Sequence, residues 1–163
     1  MTKKNYWDQI NTPIGFLTLT WGDKGLISAV FTKDAPENAV HLEKAVKDNP
    51  YRAAFAAYFA GDLGAFQGLT YDLKGTEFQM NVWAELLKIP PGETRCYADQ
   101  AKAIGKAAAV RAVGLANGRN PVSIAVPCHR VIGKDGSLTG YGGGLKRKAW
   151  LLEHEGANFN AFV

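Results

Sequence analysis

The sequence predicts an α+β chain in two parts: a small N-terminal α/β domain with an antiparallel sheet over residues 1–73, and a mainly helical domain over residues 74–163. Three observations carry this reading. Strand-like alternation joined by a Gly/Asp turn lies in the first thirty or so positions, the pattern changes to helical spacing near Lys74-Gly75, and the charge changes at nearly the same place. Residues 1–71 hold seven Lys/Arg against seven Asp/Glu, so the whole formal charge of +4 belongs to the remainder. Within 95–148, ten basic residues face only Asp99 and Asp135. Such asymmetry fits a polyanion-binding half, and a basic solvated surface fits the same count.

In the first part, Gly15-Phe16-Leu17-Thr18-Leu19-Thr20-Trp21, a turn at Gly22-Asp23-Lys24-Gly25, and Leu26-Ile27-Ser28-Ala29-Val30-Phe31 read as a hairpin. Tyr51, Ala54, Phe55, Tyr58 and Phe59 recur at helical spacing, and Gly61-Asp62 ends that helix. Gly68 to Leu73 reads as one more strand. No catalytic constellation falls in this half.

In the second part, Thr76 and Gln79 form a capping box ahead of a helix whose apolar face is Phe78, Val82, Trp83, Leu86 and Leu87; Ile89-Pro90-Pro91-Gly92 stops it. A short helix over Ala98–Ile104 closed by Gly105, then a second over Ala107–Asn117 closed by Gly118, outline a helix-turn-helix. The second helix can bury Val110, Val113 and Leu115. The rest is almost all Ala, Gly or Asn, with Arg111 its one long side chain. A helix that reads base edges in the major groove usually carries several Arg, Asn, Gln or Lys. This one suits close approach to a narrower groove, or, since alanine is the best helix former, simply tight packing.

A chain of 163 residues that is 47% hydrophobic can bury a proper core. Cys96 and Cys128 are the only cysteines, and with His41, His129 and His154 they supply neither a disulfide framework nor a zinc-ligand cluster. A structural metal is therefore not expected. The N-terminus has no apolar stretch behind it, and no window approaches eighteen apolar residues, so the expected setting is soluble and cytoplasmic, without a membrane.

Cys128 lies in Val126-Pro127-Cys128-His129-Arg130-Val131. A thiol is only partly ionised at neutral pH, so a cysteine that does covalent chemistry needs a nearby base or cation. His129 and Arg130 are its immediate neighbours. A lone cysteine is more often a buried, inert thiol, and the surrounding residues decide against that.

Those residues resemble the O6-alkylguanine-DNA alkyltransferases, also called methylated-DNA–protein-cysteine methyltransferases. The matching segments run in unbroken order over residues 75–156: Phe78-Gln79 with Val82-Trp83, Leu87-Lys88-Ile89-Pro90 with Gly92, Tyr97, Arg111-Ala112-Val113-Gly114, Asn120-Pro121, Pro127 to Ile132, Gly140-Tyr141 with Gly143-Gly144-Leu145-Lys146, and Lys148 with Trp150-Leu151-Leu152 and Glu155. The N-terminal half is similar more loosely, through Thr12-Pro13-Ile14-Gly15 and its hairpin.

The resemblance implies a ribonuclease H-like N-terminal sheet and a winged helix-turn-helix-like C-terminal domain. It also implies repair of duplex DNA containing O6-alkylguanine, with O4-alkylthymine as a further candidate, by one irreversible transfer of the alkyl group to Cys128 that needs no cofactor. In that scheme His129, through a water, accepts the thiol proton and Glu155 stabilises the imidazolium, while Tyr97 donates to the departing guanine. Asn120 holds the active-site turn. Tyr141, Gly142, Gly143, Val131 and Lys148 surround the base, with backbone N–H groups of the glycine segment directed at O6. Arg111 replaces the flipped nucleotide, and Ala112, Gly114, Asn117, Arg119 and Arg130 contact DNA through the minor groove. A monomer with no obligate protein partner is expected. Some members carry serine where Gly142 stands, which implies a more open pocket here.

Two other readings stand beside this one. A cysteine hydrolase could use Cys128, His129 and Glu155 for acyl transfer, but no acyl-substrate site is recognisable. Alkyltransferase-like proteins bind alkylated bases without repairing them, and they carry tryptophan where Cys128 stands.

Overall fold

The computed structural model of the protein describes residues 5–37, the backbone of Glu43–Lys44, and residues 49–160; His41, one of the three histidines, lies outside them. The chain forms two compact units. The first runs up to Lys74 and takes in Pro121–Ser123, and the second comprises Gly75–Asn120 and the chain from Ile124 onward. Among the described residues, no helix is long and apolar enough to cross a membrane.

The first unit is built on a sheet of β1 (Tyr6–Thr12), β2 (Gly15–Gly22), β3 (Gly25–Phe31) and β4 (Glu43–Lys44), in the order β3-β2-β1-β4. β1, β2 and β3 are antiparallel neighbours, and the two-residue β4 runs parallel to β1. The hairpin expected from the sequence is β2–β3. Its turn ends on Gly25, whose φ of +135° and whose position 2.5 Å (from an added Cβ) to the Thr70 carbonyl oxygen exclude a side chain. β1 and β4 carried no signal in the sequence. The expected strand at 68–73 is reduced to a bridge at Tyr71, where Leu26 N–H donates to Thr70 O and Asp72 N–H to Leu26 O. Pro121–Ser123 lies alongside β3 by bonds from Ala29 N–H to Pro121 O and from Ser123 N–H to Ala29 O.

Helix α1 (Pro50–Phe59) starts as the physics of helix ends dictates, with Asn49 capping the Arg52 amide and proline at the first turn. Its Phe55 and Tyr58 are fully buried, as are Leu17, Leu19 and Leu26 of the sheet, and both rings pack on Phe66. Arg52 donates to both carboxylate oxygens of buried Asp8 on β1 at 2.7 Å. Burial opposes the charge on Asp8, but the Arg52 guanidinium, the Gln9 amide and Asn49 outweigh it and hold that carboxyl below its usual range.

The second unit contains α2 (Glu77–Leu86), β5 (Arg95–Cys96), α3 (Tyr97–Ala103), α4 (Val110–Gly118), a 3₁₀ turn (Cys128–Arg130), β6 (Val131–Ile132) and α5 (Leu145–His154). The Thr76–Gln79 capping box forms as read from the sequence. Trp83 is buried on α2 and its indole N–H donates to Ala116 O on α4 at 2.8 Å, which fixes the two helices against each other. β5 and β6 form a parallel pair, Arg95 opposite Val131 and Cys96 opposite Ile132, and so bring the start of α3 beside the cysteine turn.

Helix α4 begins at Val110 rather than Ala107, and it buries Val113, Ala116 and Asn117. That choice of face overturns part of the sequence reading. Positions 113, 116 and 117 define an inward stripe, so Val110 and Leu115 turn outward and are 37% and 65% exposed. Asn117, expected at DNA, is buried: its amide exchanges two hydrogen bonds of 2.8 Å with the amide of Gln100 on α3. The pair is satisfied as it stands, and removing one member strands the other. Asn117→Leu is therefore expected to lower the unfolding free energy by about 1–3 kcal/mol in urea denaturation, the usual cost of an unsatisfied buried polar group.

Candidate active site

The cysteine turn is held from several sides. Ile124, four residues before Cys128, adopts φ +73°, a conformation that a β-branched residue takes only when its surroundings enforce it, and Ile124 is fully buried. The Asn120 side-chain amide donates to Val126 O at 2.7 Å, and Cys128 N–H donates to the same carbonyl at 2.9 Å. The chain then tightens into the 3₁₀ turn Cys128–Arg130 and passes directly into β6.

Behind the cysteine lies a fully enclosed charge cluster. Glu155 caps α5, and its carboxylate meets His129 Nε2 at 2.8 Å and takes both Nε and a terminal nitrogen of Arg130 at 2.7 and 2.9 Å. Arg130 donates its remaining arm to Ile89 O at 2.6 Å. Burial works against the charge of Glu155, yet hydrogen bonds from His129 and Arg130 prevail and hold the carboxyl far below its usual range. Burial pushes the His129 pKa down, with Glu155 opposing and the Arg130 and Lys148 charges assisting. With Nε2 on Glu155, the buried Nδ1 is left without a hydrogen-bond partner among the described residues, and no direct hydrogen bond joins the ring to the thiol.

Burial also pushes the Cys128 pKa up, against a hydrogen bond from Asn120 and the positive charge of Lys148. Lys148 is fully buried on α5. Its ammonium donates to Val131 O at 2.6 Å, Thr139 O at 2.8 Å and Gly140 O at 3.2 Å, and burial pushes its pKa down to about 8. The Tyr97 hydroxyl donates to the same Thr139 carbonyl at 3.0 Å.

Cys128 opens on a cavity of about 540 Å³, walled by Tyr97, by the α4 residues Val110, Arg111, Gly114, Leu115, Asn117 and Gly118, and by Thr139 to Gly142. Its size suits a planar heterocycle with a sugar attached. An added Cβ at Gly142 would meet only the Gly118 carbonyl, at 3.9 Å, so the missing side chain leaves room at the rim.

Of the residues singled out in the sequence, Cys128, Tyr97, Tyr141, Gly142, Arg111, Gly114 and Asn117 share this cavity. Ala112 and Arg119 are exposed on and just beyond α4. Val131 and Gly143 stand behind the wall: Val131 is fully buried with its carbonyl on Lys148, and Gly143 O accepts from Arg147. Arg130, expected at DNA, is 6% exposed and bound to Glu155 and Ile89, so no face of it is left for a phosphate. Sequence reasoning also missed Gln100 and Thr139, which carry no motif of their own.

Fold and site together define a protein in which a cysteine opens on a base-sized cavity beside a helix-turn-helix. Residues 77–157 match the model of the 6-O-methylguanine DNA methyltransferase DNA-binding domain. The chain is 48% identical to the methylated-DNA–protein-cysteine methyltransferase of Mycolicibacterium paratuberculosis over 151 residues, covering 90% of this chain and 89% of the relative. It is 46% identical to that of Methanosarcina barkeri over 156 residues, covering 94% and 98%. The crystal structure of Mycobacterium tuberculosis OGT in complex with DNA matches it with a TM-score of 0.82 at 45% identity, over 93% of this chain and 92% of that one. The chain belongs to the methylated-DNA–protein-cysteine methyltransferase family.

The charge cluster has a signature in stability. The folded pKa of Glu155 lies below its unfolded value, near 4.3 for a free glutamate, so its contribution is complete above that pH and is lost as pH falls toward the folded value. At pH 7, Glu155→Gln leaves Arg130 buried without a counter-charge and is expected to cost about 3–5 kcal/mol. Urea denaturation should show that deficit narrowing below about pH 4, as the unfolded wild-type glutamate takes up its proton.

Proposed function

We propose that this protein repairs O6-alkylguanine in duplex DNA by moving the alkyl group to Cys128, irreversibly and once per molecule. The observation that carries the reading is the His129–Glu155 contact of 2.8 Å directly behind a cysteine that opens on a base-sized cavity. Sγ attacks the alkyl carbon, the carbon–O6 bond breaks, and its electron pair stays on the guanine. A saturated alkyl carbon is a poor electrophile, so the nucleophile must be a thiolate, and burial makes this thiol hold its proton. His129 takes that proton through a water at Nδ1, and Glu155 stabilises the resulting imidazolium. Tyr97 donates a hydrogen bond to the guanine as charge accumulates there. The balanced step calls on no cofactor, and a thioether has no route back to a thiol at this site.

A stacked base must leave the duplex before its O6 substituent can reach Cys128. Arg111, exposed on α4 and facing the same cavity, is suited to fill the space the nucleotide vacates, while Ala112 and Gly114 let the helix approach a minor groove closely. The extruded base would lie against Tyr141 with glycine-segment N–H groups toward O6. O4-alkylthymine presents the same alkyl–oxygen bond and is a second substrate to test. We infer a monomer acting in the cytoplasm, where its two free thiols stay reduced.

Incubation with an oligonucleotide duplex carrying O6-methylguanine should raise the intact protein mass by one methyl-for-hydrogen replacement, mapped to Cys128, with no more than one methyl per protein. Cys128→Ser should abolish the gain and leave duplex binding largely intact. Multiple turnover, or label on Cys96, would exclude the reading.

Arg111→Ala should slow repair of duplex DNA strongly while leaving reaction with free O6-benzylguanine nearly unchanged, because a free base has no stacking to lose. Equal losses on the two substrates in single-turnover assays would assign Arg111 to the fold or the pocket and remove the flipping role.

A further inference from the structure

Thr139 lies in the segment between β6 and α5 and lines the same cavity as Tyr97 and Cys128. Its carbonyl accepts from Tyr97 Oη at 3.0 Å and from Lys148 Nζ at 2.8 Å, and its own hydroxyl donates to Tyr97 Oη at 3.2 Å. A phenol has one proton to give. Without substrate, that proton is committed to Thr139 O, so Tyr97 cannot donate to a base until the bond is exchanged. On the alkyl-transfer reading above, on which this inference rests, the exchange must occur in every productive encounter.

We infer that Thr139 is a positioning residue for alkyl transfer: when the alkylated base enters, the Tyr97 O–H turns from the Thr139 carbonyl to the guanine, while the Thr139 hydroxyl keeps donating to the phenol oxygen. Two features of the site support the exchange. The Thr139 carbonyl keeps the Lys148 ammonium when the phenol leaves, so it does not lose its last protein partner. The hydroxyl that remains polarises the phenol and makes it a better donor as the guanine gains charge. Burial makes Tyr97 hold its proton more tightly, and the Thr139 hydrogen bond works against that. No covalent bond changes at either residue: the electron pair of the broken carbon–O6 bond stays on the guanine, and Tyr97 shares its proton with it.

Thr139→Val keeps the carbonyl and the shape and removes the hydroxyl; Thr139→Ser restores it. In single-turnover assays with free O6-benzylguanine and with an O6-methylguanine duplex, Thr139→Val is expected to slow transfer by about tenfold on both, and Thr139→Ser to stay within about twofold of wild type. Alkylation of Cys128 by iodoacetamide, which has no guanine to release, should be unchanged in both variants. In a Tyr97→Phe background, Thr139→Val should cause no further loss. The inference is overturned if Thr139→Val reacts at the wild-type rate, if the same tenfold loss persists in Tyr97→Phe, or if iodoacetamide reactivity falls in parallel. If wild-type protein gains no mass at Cys128 from either substrate, the alkyl-transfer reading itself fails and this inference falls with it.

Discussion

The carboxylate of Glu155 is the constraint around which the catalytic unit is arranged. It is 5% exposed, it bonds His129 from one side and Arg130 from the other, and all three residues are cut off from bulk water. A lone buried carboxylate would take up a proton, and a lone buried arginine would be tolerated nowhere. Together with the Ile89 carbonyl they satisfy one another. The consequence for His129 is geometric: Nε2 is fixed on the carboxylate, so Nδ1 is the nitrogen left unengaged among the described residues. Arg130, with His129, holds Glu155 ionised against the cost of its burial.

The cysteine itself is held by backbone rather than by charge. Ile124 at φ +73° is a costly conformation, of the order of 1–3 kcal/mol, and it persists because a fully buried side chain and the Asn120–Val126 hydrogen bond over-determine the turn. Lys148 then ties the far side, gathering the carbonyls of Val131, Thr139 and Gly140 on one ammonium. A cation that serves three carbonyls near a thiol does two things at once. It ties three backbone carbonyls together, two of them from residues that line the cavity, and its charge works against the rise that burial causes in the Cys128 pKa.

The parts of this arrangement that were legible in the sequence are those written in local patterns. The β2–β3 hairpin follows from alternation and its turn, the start of α2 from its capping box, and the reactive turn from the Pro-Cys-His-Arg run. The illegible parts depend on which residues meet across the chain. β1 carries Asp8 inward, where Arg52 and Asn49, more than forty positions later, help to make it tolerable, so its pattern reads as polar. Leu115 looked like core because it is apolar, but a helix buries a stripe, and the stripe of α4 is set by Val113, Ala116 and the amide of Asn117, whose burial depends on Gln100. Thr139 acquires a role only because Tyr97 and Lys148 arrive from other elements.

The same reasoning changes the meaning of the charge asymmetry. Ten basic residues between 95 and 148 look like a nucleic-acid footprint when counted along the chain. Arg130 and Lys148 are buried, however, at 6% and 0% exposure, and their positive charges serve Glu155 and the carbonyls around Cys128. Arg95 is engaged with Glu93. The exposed bases are Lys102, Lys106, Arg111, Arg119, Lys134 and Lys146, which include those on and beside α4, where phosphates can be neutralised. Part of the positive excess is therefore internal to the catalytic unit. A buried carboxylate and a ring of buried carbonyls need cations of their own, and a polyanionic partner needs others; one stretch of sequence holds both, and only burial separates them.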